Sequence, residues 1–178
     1  MSGSLNLRRV PNALISKSFD VPVFFAHEDR GAERQSEMHI EISDGDTALR
    51  SALVLEDEGL VSMMIEDILR ELGCHDIETF PTVDAARSAL SSRSYDCAIL
   101  DVRLRDGDSS EIADMLAVRG IPFLFSTGSG MEGVPERHHA RPVLTKPFAD
   151  DDLKVKVLDT VAASRLAAVR VATLGATD

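Results

Sequence analysis

From residue 50 onward the apolar positions alternate between two patterns. Ala52-Leu53-Val54-Leu55 is apolar at every position and stops at Glu56-Asp57, as a strand buried on both faces does. Gly59–Leu72 then carries Val61, Met64, Ile65, Ile68, Leu69 and Leu72. That i, i+3, i+4, i+7 spacing predicts an amphipathic helix, and Gly73 ends it. A second short strand follows over Asp76–Phe80, with Pro81 as its stop. Val83–Leu90 reads as a small helix with Thr82 as its N-cap. Tyr95–Leu100 is a third strand that ends at Asp101, and Glu111–Val118 is a helix closed by Gly120. Ile121–Ser126 is a fourth strand, followed by a Gly-rich loop from Thr127 to about Arg141. A short fifth strand spans Val143–Thr145. The last helix runs from Asp150 to about Val171, with Leu153, Val157, Val161 and Leu166 in its apolar stripe.

Strict strand–helix alternation with short connections predicts an α/β fold, a parallel sheet with helices on both faces. Five strands point to a doubly wound sheet of order 2-1-3-4-5. Residues 50–163 form this domain. Residues 1–49 lack sustained periodicity and read as a disordered or loosely packed extension. They hold the apolar patch Val21–Phe25, the alternating stretch Met38–Ile42 and turn chemistry at residues 44–46. Met38 as an alternative start stays open. Residues 164–178 extend the last helix as a tail with Leu166, Val169 and Val171. Either this tail frays, or the helix makes a homodimer or partner contact.

Charge narrows the function classes. The 178 residues include 30 acidic and 19 basic side chains, net −11. The excess is spread over the chain, net −3 in residues 1–49 and −8 in the rest. A constitutive nucleic-acid binder needs a basic footprint, and anionic lipid repels such a surface. Cations and basic partner surfaces are the favoured charged ligands. No apolar run approaches the roughly 18 residues of a membrane span, and a secretory signature is lacking, so the cytoplasm is the expected compartment. Cys74 and Cys97 have neither metal-type spacing nor a disulfide framework and read as buried small hydrophobes. His138 and His139 are adjacent, point apart, and read as loop surface.

In a doubly wound sheet the functional crevice lies at the carboxyl ends of the strands, near the switch between strands one and three. The first strand ends in Glu56-Asp57 and the third in Asp101. Carboxylates this close repel and require a compensating cation; hard oxygen ligands with water in the remaining places suit Mg²⁺. The fourth strand ends in Ser126-Thr127-Gly128, and alternation allows only one of the two hydroxyls to face the crevice. The fifth ends in Lys146-Pro147, where a mobile cation can pair with Asp101 or with a phosphoryl group on it; Pro147 allows a cis bond. Together these groups form a consistent phosphoryl-transfer site.

The segments LVLEDE at 53–58, AILDVRL at 98–104, FLFSTGSG at 123–130 and LTKPF at 144–148, in this order and spacing, resemble the response-regulator receiver domain over about Arg50 to Val161. The resemblance implies a flavodoxin-like receiver fold. It implies Glu56 and Asp57 as Mg²⁺-binding acids, Asp101 as phosphoacceptor, and the Arg103 main-chain carbonyl as a further Mg²⁺ ligand. Thr127, rather than Ser126, is then the switch hydroxyl, and Lys146 the phosphoryl partner. GIPFLFSTGSG, VPER and RPVLTKPF resemble a subgroup of single-domain receivers with a Phe-Ala-Thr-Gly motif, known as FATGUY. Ser126 replaces the Ala of that motif, and Val143 stands where many receivers carry an aromatic switch residue. Arg105 and Ser109 stand where many have Pro and Gly, which predicts an altered loop after Asp101. GSGMEGVPE reads as a mobile segment.

The expected function is that of a single-domain response regulator. It takes a phosphoryl group from a histidine kinase or histidine phosphotransfer protein and switches a surface for a downstream protein. Two rivals stay open: a receiver-shaped scaffold that is never phosphorylated, and an aspartyl-phosphate hydrolase. The hydrolase needs a second acid two residues after its nucleophile, and that position is Arg103. A fragment of a hybrid kinase is disfavoured, since residues 1–49 carry no recognisable nucleotide-binding motif.

Overall fold

Three largely apolar stretches occupy the middle of a five-stranded parallel sheet, where both faces are covered. They are β1 (Ser51–Leu55), β3 (Cys97–Asp101) and β6 (Phe123–Thr127); β2 (Asp76–Phe80) and β7 (Val143–Thr145) form the edges, giving the order β2-β1-β3-β6-β7. In chain order of the parallel strands this is the expected 2-1-3-4-5. The structure, a computed structural model, describes residues 49–174, with side chains as far as Ala167. The stretches at Val21–Phe25 and Met38–Ile42 lie outside the described residues, as do residues 175–178.

Alternation along the strands sorts the core into two layers. Leu53, Leu55, Ala98, Leu100, Phe123 and Phe125 pack with residues of α2 (Val83–Ser92) and α3 (Ser110–Val118). Ala52, Val54, Cys97, Ile99, Leu124 and Leu144 pack with Ile65, Ile68 and Leu69 of α1 (Gly59–Glu71) and Leu153, Val157 and Val161 of α4 (Asp150–Leu174). Each fully buried Leu or Phe contributes roughly 1.5–3 kcal/mol of transfer free energy. The sheet is thereby a rigid platform whose carboxyl edge carries the polar residues.

Local chemistry sets the element ends. Gly73, at φ 87°, takes the left-handed conformation after α1, and Cys74 N–H returns to the Leu69 carbonyl at 3.0 Å. The Thr82 hydroxyl accepts from Ala85 N–H at 3.3 Å and caps α2 as expected. Asp106 adds a second cap, its Oδ2 accepting from Val83 N–H at 3.0 Å. Cys74 and Cys97 are buried; burial pushes their thiols up to about 11 and about 12, so both stay protonated and inert.

Several features depart from the sequence reading or add to it. The loop after Asp101 folds into a small antiparallel hairpin, β4 (Arg103–Leu104) against β5 (Gly107–Asp108). The last helix runs unbroken across residue 163 to Leu174. Residues 128–141 contain turns and a 3₁₀ turn, Glu136–His138, with no α-helix. Val134 is buried with Val102 and Leu104.

His138 is not loop surface. It is 6% exposed, packs edge-on to Phe123 at 5.6 Å between ring centroids, and puts Nε2 2.8 Å from Asp114 Oδ1 on α3. Adjacent residues do point apart, so His139 is the exposed member of the pair. Arg137 grips the same carboxylate through Nε and Nη2 at 2.7 and 2.8 Å. The segment after β6 is thereby clamped to α3. Arg137 and then His138 hold the Asp114 carboxyl down at about 2. The unfolded chain takes up this proton first, so the stabilisation is complete at neutral pH and lost as pH falls from the ordinary aspartate range through about 2. Asp114 is 46% exposed, and screening limits the loss to under about 1 kcal/mol. Asp114→Asn is expected to flatten the acid limb of a urea-midpoint-against-pH curve by that amount; an unchanged limb would remove the clamp from the account.

Candidate functional site

The carboxyl ends of β1, β3 and β7 converge on one polar cluster. Val54, Ile99 and Leu144 share a sheet face, so two residues on, Glu56, Asp101 and Lys146 return to that same side. Lys146 Nζ lies 2.7 Å from Glu56 Oε2 and 2.7 Å from Asp101 Oδ2. The three side chains are 16%, 1% and 10% exposed respectively. Lys146–Pro147 is the cis peptide bond that Pro147 allowed.

Asp101 has its other oxygen occupied as well. Oδ1 accepts from Arg103 N–H at 3.2 Å. Glu56 Oε1 accepts from Glu58 N–H at 3.2 Å. Asp57 stands apart from Lys146; its Oδ2 takes Arg105 N–H and Arg105 Nε, each at 3.1 Å. Burial raises Glu56 above the usual carboxylate range, with the Lys146 bond acting against it. Burial also opposes the charge on Lys146, but the bonds to Asp101 and Glu56 outweigh it and raise its pKa. The cation therefore stays charged and holds two acids at once.

The donor set fits a hard divalent cation. Glu56, Asp57 and Asp101 each offer a carboxylate oxygen, and these atoms all lie within 4.8 Å of one another. Two side-chain cations facing three carboxylates leave one negative charge over. The three acids expected from sequence are thus brought together, and Lys146 with them.

The hydroxyls divide as alternation requires. Ser126 stands opposite Asp101 and Leu144 in register and is wholly buried, its Oγ without a hydrogen-bond partner among the described residues. Thr127, the last residue of β6, is buried as well. Its Oγ1 accepts from Ser129 N–H at 3.2 Å, and Ser129 Oγ donates to the Glu132 carbonyl at 3.2 Å. Arg103 is placed at the cluster through its N–H. Sequence reasoning missed Arg105 as a partner of Asp57; its one signal was the cation standing where a Pro was expected.

Beside the acids lies an open cleft of about 620 Å³, lined by Glu56, Asp57, Leu60, Met63, Phe80 and Pro81 among others. Leu60 and Met63 on the first turns of α1 are 84% and 63% exposed.

Known proteins supply the comparison for this arrangement. SdrG from Sphingomonas melonis Fr1 is 42% identical; the match covers 65% of this chain and 98% of that one, with a TM-score of 0.58. The PhyR response-regulator REC domain of Erythrobacter litoralis is 28% identical, over 66% of this chain and 90% of that one, at a TM-score of 0.53. The receiver domain of the sensor histidine kinase PA1611 from Pseudomonas aeruginosa PAO1, solved with magnesium in its active-site cleft, shares the fold. It is 19% identical over 64% of this chain and 98% of that one, at a TM-score of 0.53. No curated protein matches the chain. Residues 52–158 match the response regulator receiver domain. With the doubly wound sheet and the acids at its strand ends, this establishes that the chain belongs to the response regulator receiver family.

Proposed function

We propose that this chain is a phosphoryl-accepting switch of a two-component relay, with Asp101 as the acceptor. The observation that carries the reading is the Asp101 carboxylate itself. It is nearly buried, held by Lys146 Nζ on one oxygen and by Arg103 N–H on the other, beside two further acids within metal-sharing distance. A phosphohistidine donor, on a kinase or a phosphotransfer protein, presents its phosphorus in line with an Asp101 oxygen. The P–N bond breaks, a P–O bond forms, and the imidazole leaves as its nitrogen takes up a proton. Glu56, Asp57 and Asp101, with the Arg103 main-chain carbonyl, would hold Mg²⁺, which supplies charge neutralisation at the transferring group. Lys146, whose Nζ lies 2.7 Å from Asp101 Oδ2, supplies a second cation and orients the oxygen it bonds.

Thr127 is the switch hydroxyl in this reading. Its bond with Ser129 is local and weak enough to exchange for an oxygen of the acyl phosphate. That exchange frees the turn at Ser129–Glu132 and alters the surface of residues 128–141 for a downstream protein. Val143 offers no aromatic ring to swing in response. The FLFSTG run at 123–128 supports membership of the Phe-Ala-Thr-Gly subgroup and a single-domain regulator. Exposed Leu60 and Met63, beside the acids, give an incoming donor helix an apolar footing. Val155, Leu158 and Leu166, each more than half exposed on α4, are the face for the homodimer expected there. The cytoplasm is the compartment that goes with this reading. Turnover as a hydrolase is disfavoured, because Arg103 holds the position where such an enzyme needs its second acid.

The test is incubation of the full chain with a small phosphodonor and Mg²⁺, followed by intact mass. The expected result is a gain of one phosphoryl group, absent when the metal is chelated. An unchanged mass, together with unchanged NMR spectra on adding beryllofluoride and Mg²⁺, would leave the unphosphorylated scaffold as the better account.

A further inference from the structure

Arg105 sits at the turn between β4 and β5, and both its side chain and its backbone close on Asp57. Nε and N–H each lie 3.1 Å from Oδ2. Asp57 is the one acid of the three that Lys146 leaves alone, since Nζ bonds Glu56 and Asp101. Two cations of the chain thus divide three carboxylates between them. Asp57 is 12% exposed while Arg105 is 80% exposed, so the guanidinium reaches the acid from the solvent side.

We propose that Arg105 is a tethered cation that competes with the divalent metal for Asp57, linking metal occupancy to the position of the hairpin turn. The inference rests on the metal-binding role proposed for these acids. A carboxylate oxygen engaged by a guanidinium is a poorer ligand until that cation withdraws, and two cations on one oxygen repel. The turn is tied down on three sides. Arg105 reaches Asp57 just before α1, Asp106 Oδ2 accepts from Val83 N–H at 3.0 Å, and Arg103 N–H donates to Asp101 at 3.2 Å. Withdrawal of the Arg105 side chain loosens one tie and leaves the other two. The exposed pair is weak and screened by salt, so its influence on affinity reaches no more than about fivefold.

A Mg²⁺ titration followed by heteronuclear NMR, on the full chain and on Arg105→Ala, tests this. At low salt the variant is expected to bind roughly three- to fivefold more tightly, and the difference should shrink toward none at about 0.5 M salt. In the wild type the Arg105 Nε–Hε resonance should shift with the same midpoint as the amides around Asp101. Arg87→Ala removes the same charge from a pair with Glu111 and should keep wild-type affinity. Equal or weaker Mg²⁺ binding by Arg105→Ala, or an equal gain in Arg87→Ala, overturns the proposal and leaves the metal site standing. No Mg²⁺ binding by any of the three proteins overturns both.

Discussion

Asp101→Asn will abolish phosphoryl uptake from a small phosphodonor while leaving the sheet folded. The amide has no anionic oxygen to form an acyl phosphate, so the loss is expected to be complete. The substitution is close to isosteric at a position 8% exposed. The amide oxygen can still accept from Arg103 N–H, which now reaches Asp101 Oδ1 at 3.2 Å. Lys146 keeps its 2.7 Å contact with Glu56. Removing one of three clustered carboxylates also relieves repulsion, which offsets the lost Lys146 bond. Stability should therefore stay within about 1 kcal/mol of wild type. Intact mass reads the first expectation and urea unfolding the second. A variant that still gained one phosphoryl mass would move the acceptor to another side chain; one that failed to fold would say nothing against Asp101, and Asp101→Glu would then carry the test.

Much of this site could be read from the chain because it lies where periodic elements stop. Leu53–Leu55 and Ala98–Leu100 are continuous apolar runs, and the first polar residues after them are Glu56 and Asp101. A buried parallel strand leaves those residues one place to go, the crevice at its carboxyl end. Lys146 follows Val143–Thr145 by the same logic. The parts that were not legible lie where no period operates. Each arm of the 103–108 hairpin is two residues long, too short to show alternation, and it is held by Asp57 and Val83, which are 48 and 23 residues away from their partners. His138 lies in a segment of turns, so nothing in its neighbours tells which way its ring points. Phe123 and Phe125, which make the surface it packs on, belong to a different element. The choice of Thr127 over Ser126 needed the family resemblance; the strand period alone divides the two hydroxyls between faces without ranking them.

Lys146→Met will destabilise the metal-free protein by about 3 kcal/mol at neutral pH, and Mg²⁺ will restore part of the loss. Nζ is the shared partner of Glu56 and Asp101 at 2.7 Å, and Glu56 is 1% exposed at its side chain. Removing one member of a buried ion pair leaves the other charge uncompensated, at a cost of about 3–5 kcal/mol; Met fills the space of the lysine stem, which favours the lower figure. The pH dependence follows from Glu56. Burial raises its pKa and Lys146 opposes that rise, so the variant loses the opposing influence and the folded-state value climbs further. A carboxyl with a raised folded value binds its proton more readily folded than unfolded. Its destabilisation is therefore present at neutral pH and relieved as pH falls toward the ordinary glutamate range. Urea midpoints of wild type and Lys146→Met should accordingly converge on mild acidification. They should also converge on adding Mg²⁺, because the acids freed of Lys146 bind the cation more tightly, and a ligand of the folded state stabilises it the more the tighter it binds. Adding Asp101→Asn to Lys146→Met should cost less than the two single changes together, since it removes a charge the first change left unpaired. Additive losses, or midpoints that stay apart at every pH and every Mg²⁺ concentration, would mean that Lys146 supports the fold by packing rather than by holding the acids.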